Sequence, residues 1–210
     1  MNWVVRKRAL LEPVSIFLLI MAYIWELRFL YPVFCCLAIL GLLLLSHRLH
    51  REHASTLGFQ SRNFRKCVED FAPGVILLAL LLLGFGLLLQ TTRHMRFDQG
   101  VLAWAVYVPW GMFQQYVLNG YFLNRITRAV SARMAPVLSA VAFSGVHLPN
   151  LFLMAVTLLA GYTCARMYRR YPNLYFLGIA HGTLGFLLYL VVPDSISHHL
   201  VVGPGWFHHS

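Results

Sequence analysis

Long apolar runs broken by short basic or polar segments dominate the chain. Taken in order they predict membrane spans at about Leu10–Trp25, Leu30–Leu45, Pro73–Leu89, Val101–Leu123, Pro136–His147, Leu151–Cys164 and Leu174–Val192. The fifth and sixth are short and only Leu148-Pro149-Asn150 separates them, which leaves a tight pair or an incomplete crossing. The first is also short, and Glu12-Pro13 near its start reads as a lead-in along the membrane surface. The polar stretch Ser46–Asp70 is rich in Arg, His and Lys. The expected fold is all-α, a polytopic transmembrane bundle of about seven membrane helices with no internal repeat.

Composition agrees: 59% of the 210 residues are hydrophobic and 11% charged, where a soluble domain is nearer a quarter charged. The formal net charge of +10 raises nucleic acid as a partner, but the basic residues lie in short clusters between apolar runs. That placement reads as orientation in a bilayer, with membrane lipid as surroundings and no nucleic acid as partner. Seven crossings put Arg6, Lys7 and Arg8, the Arg48–Lys66 cluster, Arg125, Arg128 and Arg133, and Arg166, Arg169 and Arg170 on one side. Of the 17 Lys and Arg residues, Arg28, Arg93 and Arg96 remain for the other. The excess predicts a cytoplasmic N-terminus and an outside C-terminus, in a membrane of the bacterial inner (plasma) type. The basic start Met1–Arg8 carries no small-residue cleavage signal after it and reads as a retained signal-anchor. Cys35, Cys36, Cys67 and Cys164 show no metal or redox spacing, and Cys35 and Cys36 read as apolar filler.

Polar residues inside the apolar runs carry the chemistry. Gln114 and Gln115 lie mid-span, and Asn119 follows one turn later on the face of Gln115. The fifth span ends Phe143-Ser144-Gly145-Val146-His147, and the seventh contains His181-Gly182-Thr183-Leu184-Gly185. An unpartnered amide in apolar surroundings costs roughly 2–7 kcal/mol, so these groups should face one another or a wet cavity. One reading is an interhelical hydrogen-bond network, with small residues easing helix approach.

The set also resembles the CPBP intramembrane proteases, which include the Rce1-type CAAX prenyl proteases and bacterial Abi proteins. That family carries Glu-Glu-x-x-x-Arg, Phe-x-x-x-His and His-x-x-x-Asn on successive membrane helices. Here the first motif reads Gln114-Gln115-Tyr116-Val117-Leu118-Asn119 followed by Gly-Tyr-Phe. The second is intact from Phe143 to His147, with Leu148-Pro149-Asn150 after it, and the third keeps His181 but has Gly185 for Asn. The resemblance covers about Val101–Leu190. It implies domains at 1–100 (N-terminal helices with a basic cytoplasmic loop), 101–192 (protease-like core) and 193–210 (non-cytoplasmic tail). It implies a catalytic set of His147, His181, Gln114, Gln115, Asn119 and Asn150, acting without cofactor or bound metal on a membrane or lipidated peptide or protein.

In the family the first glutamate activates water with help from a histidine, and the final His/Asn pair stabilises the oxyanion. A carboxamide cannot hold the proton. Two carboxylates and the arginine have changed together, which turns a charged site into a neutral one. The seven acidic residues are Glu12, Glu26, Glu52, Glu69, Asp70, Asp98 and Asp194. Glu26 comes nearest to an intramembrane position, where it is expected to pair with Arg28 or sit at the interface. His147 and His181 are left as candidate bases, with amides as oxyanion donors. Two histidines with amides make a poor zinc site. His47, His50 and His53 read as an interfacial basic segment, and His198, His199, His208 and His209 as part of an irregular aromatic end. Two functions stay open: a histidine-driven variant peptidase, and a protease-derived protein that binds a peptide, lipid or partner helix without hydrolysis. A transporter is a third, without halved or repeated helices to support it.

Overall fold

The computed structural model describes residues 3–208, with side chains from 9 to 207. The side chains of Arg6, Lys7, Arg8 and His208, and all of Met1 and His209, lie outside that description. Seven long helical segments order the described chain. α1 runs Trp3–Ala22 and continues through a π-turn, Tyr23–Leu27, to Arg28–Leu30. α2 is Pro32–Leu49 and α3 Phe64–Leu88. α4 is Phe97–Gln115, extended by a π-helical stretch Tyr116–Leu123 and the turn Asn124–Thr127. α5 is Met134–Gly145, α6 Leu151–Arg170 and α7 Leu174–Val191. Short turns at Asp194–Ser197, His198–Leu200 and Gly203–His208 finish the chain.

Five of these helices, α1, α2, α3, α6 and α7, are long and apolar enough to cross a bilayer, and α5 is a shorter apolar helix. The bundle is turned inside out relative to a soluble protein. Leu81 is 60% exposed, while Gln115 and Asn119 are 0% exposed. Lipid, being as apolar as leucine, lets apolar side chains face outward and drives polar groups to the interior. The molecule is an integral membrane protein.

Local chemistry sets the helix limits. Pro32 opens α2 at the position where its missing N–H costs nothing. The same tripeptide, Pro-Asn-Leu, starts both α6 and α7. Asn150 Oδ1 accepts from Leu153 N–H at 3.0 Å, and Asn173 Oδ1 accepts from Phe176 N–H at 2.9 Å. These are N-caps, which satisfy backbone donors that the helix leaves unpaired. Pro73, expected to begin the third span, lies well inside α3, which starts at Phe64. One lost backbone bond near the start of a 25-residue helix does not stop it.

Contacts sort the connections into two ends. At one end Glu12, Ser46, Glu52, Arg125 and Arg128 meet, Arg170 pairs with Asp70 at 2.9 Å, and Arg169 donates to the Ala132 carbonyl. At the other, Arg93 pairs with Asp194, Arg28 donates to the Val202 carbonyl at 3.1 Å, and Asn150 Nδ2 donates to the Ser197 carbonyl at 2.8 Å. Arg28 therefore turns to the C-terminal segment and not to Glu26, which is exposed. The Glu12-Pro13 stretch is not a surface lead-in: it is a regular part of α1, and the carboxylate faces into the bundle end. Nor is the His47–His53 segment merely interfacial, since His47 is buried and His50 bridges Glu12 and Arg128.

Candidate functional site

Three glycines make the site. Gly111 of α4 faces Gly178 and Gly182 of α7, and a Cβ on Gly182 would come within 2.5 Å of the Val108 Cα. A Cβ on Gly111 would stand 2.6 Å from the Gly182 nitrogen, and one on Gly178 2.7 Å from the Met112 Cα. Only hydrogen fits at these contacts, so the two backbones touch. This Gly178-x-x-x-Gly182 pair brackets His181 and presses its ring between the two glutamines.

The resulting network has a defined direction. The His181 Nε2–H donates to Gln114 Oε1 at 2.7 Å, and Nδ1 accepts from Gln115 Nε2 at 2.9 Å. Gln115 Oε1 in turn accepts from Asn119 Nδ2 at 2.6 Å. Carbonyl oxygens only accept and amide nitrogens only donate, so the chain fixes a neutral imidazole protonated at Nε2. Both ring nitrogens of His181 are engaged. The π-helical stretch of α4 begins immediately after Gln115 and carries Asn119. Such π insertions within α-helices occur often at functional sites.

His147 approaches from the α5–α6 turn. Its Nδ1–H donates to the Phe143 carbonyl at 2.6 Å, which leaves the lone pair of the neutral ring on Nε2. The Phe143 ring packs against both histidines, with centroids 5.0 Å from His147 and 6.0 Å from His181. Gly161 of α6 seats that ring, since a Cβ there would meet Phe143 at 3.1 Å. The two histidines thus flank one aromatic ring. Among the described residues no hydrogen bond joins His147 to either glutamine.

Asn150 stands apart. Its Oδ1 caps α6 and its Nδ2 donates to the carbonyls of Ser197 and Val201, so the whole amide holds backbone. Gly185 lies one turn after His181, and a Cβ there would make an ordinary 3.6 Å contact with the Tyr107 ring. Among the described residues no three His, Cys, Asp or Glu side chains converge as a metal-ligand set. In the network as built, His147 Nε2 is the imidazole nitrogen with a lone pair to offer.

A second polar centre lies at the end of the bundle, and sequence reasoning missed it. Arg125, 2% exposed, donates to Glu12 at 3.0 Å, to Ser46 Oγ at 2.6 Å and to Glu52 at 2.8 and 2.9 Å. Tyr121 donates to Glu12 at 3.1 Å, and Arg128 pairs with Glu52. Burial alone would raise the Glu52 carboxyl, but hydrogen bonds from Arg125 and His47 and the charges of Arg125 and Arg128 hold it below its ordinary value. A signal existed: Glu12, Glu52 and Arg125 all fall on the side where the basic clusters gather. The carboxylates absent from the membrane interior are here, partnering an arginine.

Comparison with known proteins returns one family model, the type II CAAX prenyl endopeptidase Rce1-like family, over residues 97–187. No curated protein and no solved structure matches the chain. The matched segment begins with α4 and ends within α7, so it contains Gln114, Gln115, Asn119, Phe143, His147 and His181 and leaves out α1 to α3 with Glu12 and Glu52. Residues 97 to 187, rather less than half of the chain, are thus similar to the Rce1-like CAAX prenyl endopeptidase (CPBP) family.

Proposed function

We propose that this membrane protein uses its protease-like core, residues 101–192, to hold a membrane or lipidated peptide without hydrolysing it. One observation carries the reading: both nitrogens of His181 are occupied by carboxamides, in a neutral network that offers no carboxylate to take a proton. Amides that bracket a histidine can exchange one internal bond for a bond to a peptide N–H or carbonyl, which suits recognition of a backbone in low dielectric. General-base hydrolysis needs a group that takes a proton near neutral pH, and a glutamine cannot. The basic loops at the Glu12–Arg125 end lie on the cytoplasmic side in this reading, in a bacterial inner membrane, so the peptide enters from that side.

A second reading rests on its own observation. His147 has its Nδ1–H held by the Phe143 carbonyl and keeps a lone pair on Nε2, as a general base would. A histidine-driven hydrolysis would use that nitrogen, with Gln114, Gln115 and Asn119 positioning water or substrate.

The test compares wild type, His147→Ala and the pair Gln114→Glu with Gln115→Glu on a library of membrane and prenylated peptides. Retention of a peptide with cleavage no greater than in His147→Ala is the expected result. Wild-type turnover that disappears in His147→Ala overturns the binding reading in favour of the second.

A further inference from the structure

The C-terminal half of α2, the connection to α3 and the Tyr116 turn of α4 line a cavity of about 800 Å³. It lies among residues largely outside the 97–187 segment. Gly41, Leu44, Leu45, Leu57 and Phe59 make its apolar wall. Leu44 and Leu45 are half exposed on the outer face of α2, so the wall opens to the lipid. A Cβ on Gly41 would meet nothing within 4 Å, and the wall is indented where that side chain is missing. The same face continues beyond the cavity at Leu37, one turn before Gly41 and also exposed.

Arg48 lines the same cavity from the last turn of α2. Its side chain is exposed, and among the described residues no carboxylate or other polar group holds it. The acids of this end are already committed. Glu52, which also lines the cavity, is shared among Arg125, Arg128 and His47. Glu12 accepts from Ser46, Tyr121 and Arg125 and contacts His50. Two carboxylates thus meet the guanidinium groups of Arg125 and Arg128, and the charge of Arg48 is left over. Arg51 adds a second exposed cation at this turn, where its backbone N–H donates to the Arg48 carbonyl at 3.0 Å. Its φ of 53° is the left-handed conformation that glycine usually supplies after a helix. An arginine there carries backbone strain while it sets a second positive charge beside Arg48.

We infer that this cavity seats an anionic phospholipid of the surrounding bilayer, with its phosphate on Arg48 and one acyl chain along Gly41, Leu44 and Leu45. Guanidinium and phosphate form strong charge-assisted hydrogen bonds, and basic pockets between membrane helices bind anionic headgroups. The acyl chain covers the apolar wall, which inorganic phosphate would leave bare. A choline headgroup brings its own cation, so a zwitterionic lipid leaves the excess charge of Arg48 and Arg51 uncompensated. The site does not depend on whether the protease-like core cleaves peptides.

The full-length protein in detergent micelles is titrated with palmitoyl-oleoyl phosphatidylglycerol, and bound lipid is counted by native mass spectrometry. Phosphatidylcholine with the same chains, palmitate and inorganic phosphate are the comparison ligands. The variants are Arg48→Gln, Arg48→Lys, Gly41→Leu, which fills the indentation, and Arg62→Gln, an exposed arginine that does not line the cavity. Melting temperature and elution volume confirm that each variant is folded. Saturable binding of phosphatidylglycerol is expected, weakened roughly fivefold by Arg48→Gln, largely restored in Arg48→Lys and weakened at least as much by Gly41→Leu. Arg62→Gln should leave the affinity within about twofold, and each comparison ligand should bind at least about fivefold more weakly. Absence of saturable binding overturns the proposal. So does an equal loss in Arg48→Gln and Arg62→Gln, an affinity that Arg48→Gln or Gly41→Leu leaves unchanged, or a comparison ligand that binds as well.

Discussion

Helix α4 carries two polar centres ten residues apart, about 15 Å along a helix, and they are built on opposite principles. Around Gln115 every partner is neutral: two glutamines, an asparagine and a histidine fixed in one tautomer. Around Arg125 nearly every partner is ionic or bonded to an ion, with Glu12 and Glu52 on either side. Position explains the difference. Glu12 is about one-third exposed near the start of the Ala9–Leu30 membrane span, where water shares the cost of the charges. Gln115 is fully buried within the bundle, where an unmatched charge would cost several kcal/mol. The chain has kept carboxylates where they pair with arginine near the interface and carries amides where they would stand deep in the helices.

The contrast fails first if Arg125 proves dispensable. Replacing it with Met strands Glu52, whose side chain is 10% exposed, and leaves the partly exposed Glu12 without its cation, and a loss of about 3–5 kcal/mol is expected. Denaturant titration in mixed micelles measures it, and a loss below about 1 kcal/mol would mean that the ionic centre is solvated. Next in size comes Gly182→Val. Its side chain collides with the α4 backbone at Val108 and Tyr107, so a loss of about 1–3 kcal/mol and disruption of the His181 bracket are expected. The imidazole nitrogen chemical shifts of His181 report the bracket directly, and unchanged shifts would contradict the close approach. Gln115→Leu should cost about 1–2 kcal/mol, because it unpairs His181 Nδ1 and Asn119 Nδ2 without stranding a charge. If it costs as much as Arg125→Met, the two centres do not differ in kind.

The smallest effect is in acid. Glu52 is held below its ordinary value in the folded protein, so its contribution is fully present above the unfolded carboxylate value near 4.3. That contribution is lost as pH falls through the lower folded value. Melting temperature should therefore fall below about pH 4, and Glu52→Gln, less stable at pH 7, should flatten that limb. An identical acid limb in the variant would remove Glu52 as its source.

Much of the fold was legible because the membrane imposes a length on apolar runs. A helical segment stands at each of the seven predicted spans, five of them long and apolar enough to cross a bilayer, and the limits differ at the ends. α3 starts earlier because one proline does not break a long helix, and α6 runs past Cys164 because arginines tolerate its final, exposed turn. The clustering of Gln114, Gln115, Asn119 and His181 was legible too, since isolated amides are too costly to leave apart in lipid. The roles of Glu12 and Asn150 were not. Glu12 looked interfacial because its partners are 34 to 113 residues away. Asn150 entered the candidate site because Leu148-Pro149-Asn150 resembles the family's sequence after its second motif, and Pro-Asn before a helix is equally the sequence of an N-cap.

By itself the sequence determined an all-helical membrane bundle, the end at which its basic residues gather and the polar positions that must find one another. These follow from the price that lipid sets on polar groups and from the charge asymmetry between loops. Only the tertiary structure decided which partner each group took. Contacts among Gly111, Gly178 and Gly182 set the depth of His181 between the glutamines, and the meeting of helix ends delivered both carboxylates to Arg125. Those choices depend on how close two backbones can come, and no single segment of the chain carries that distance.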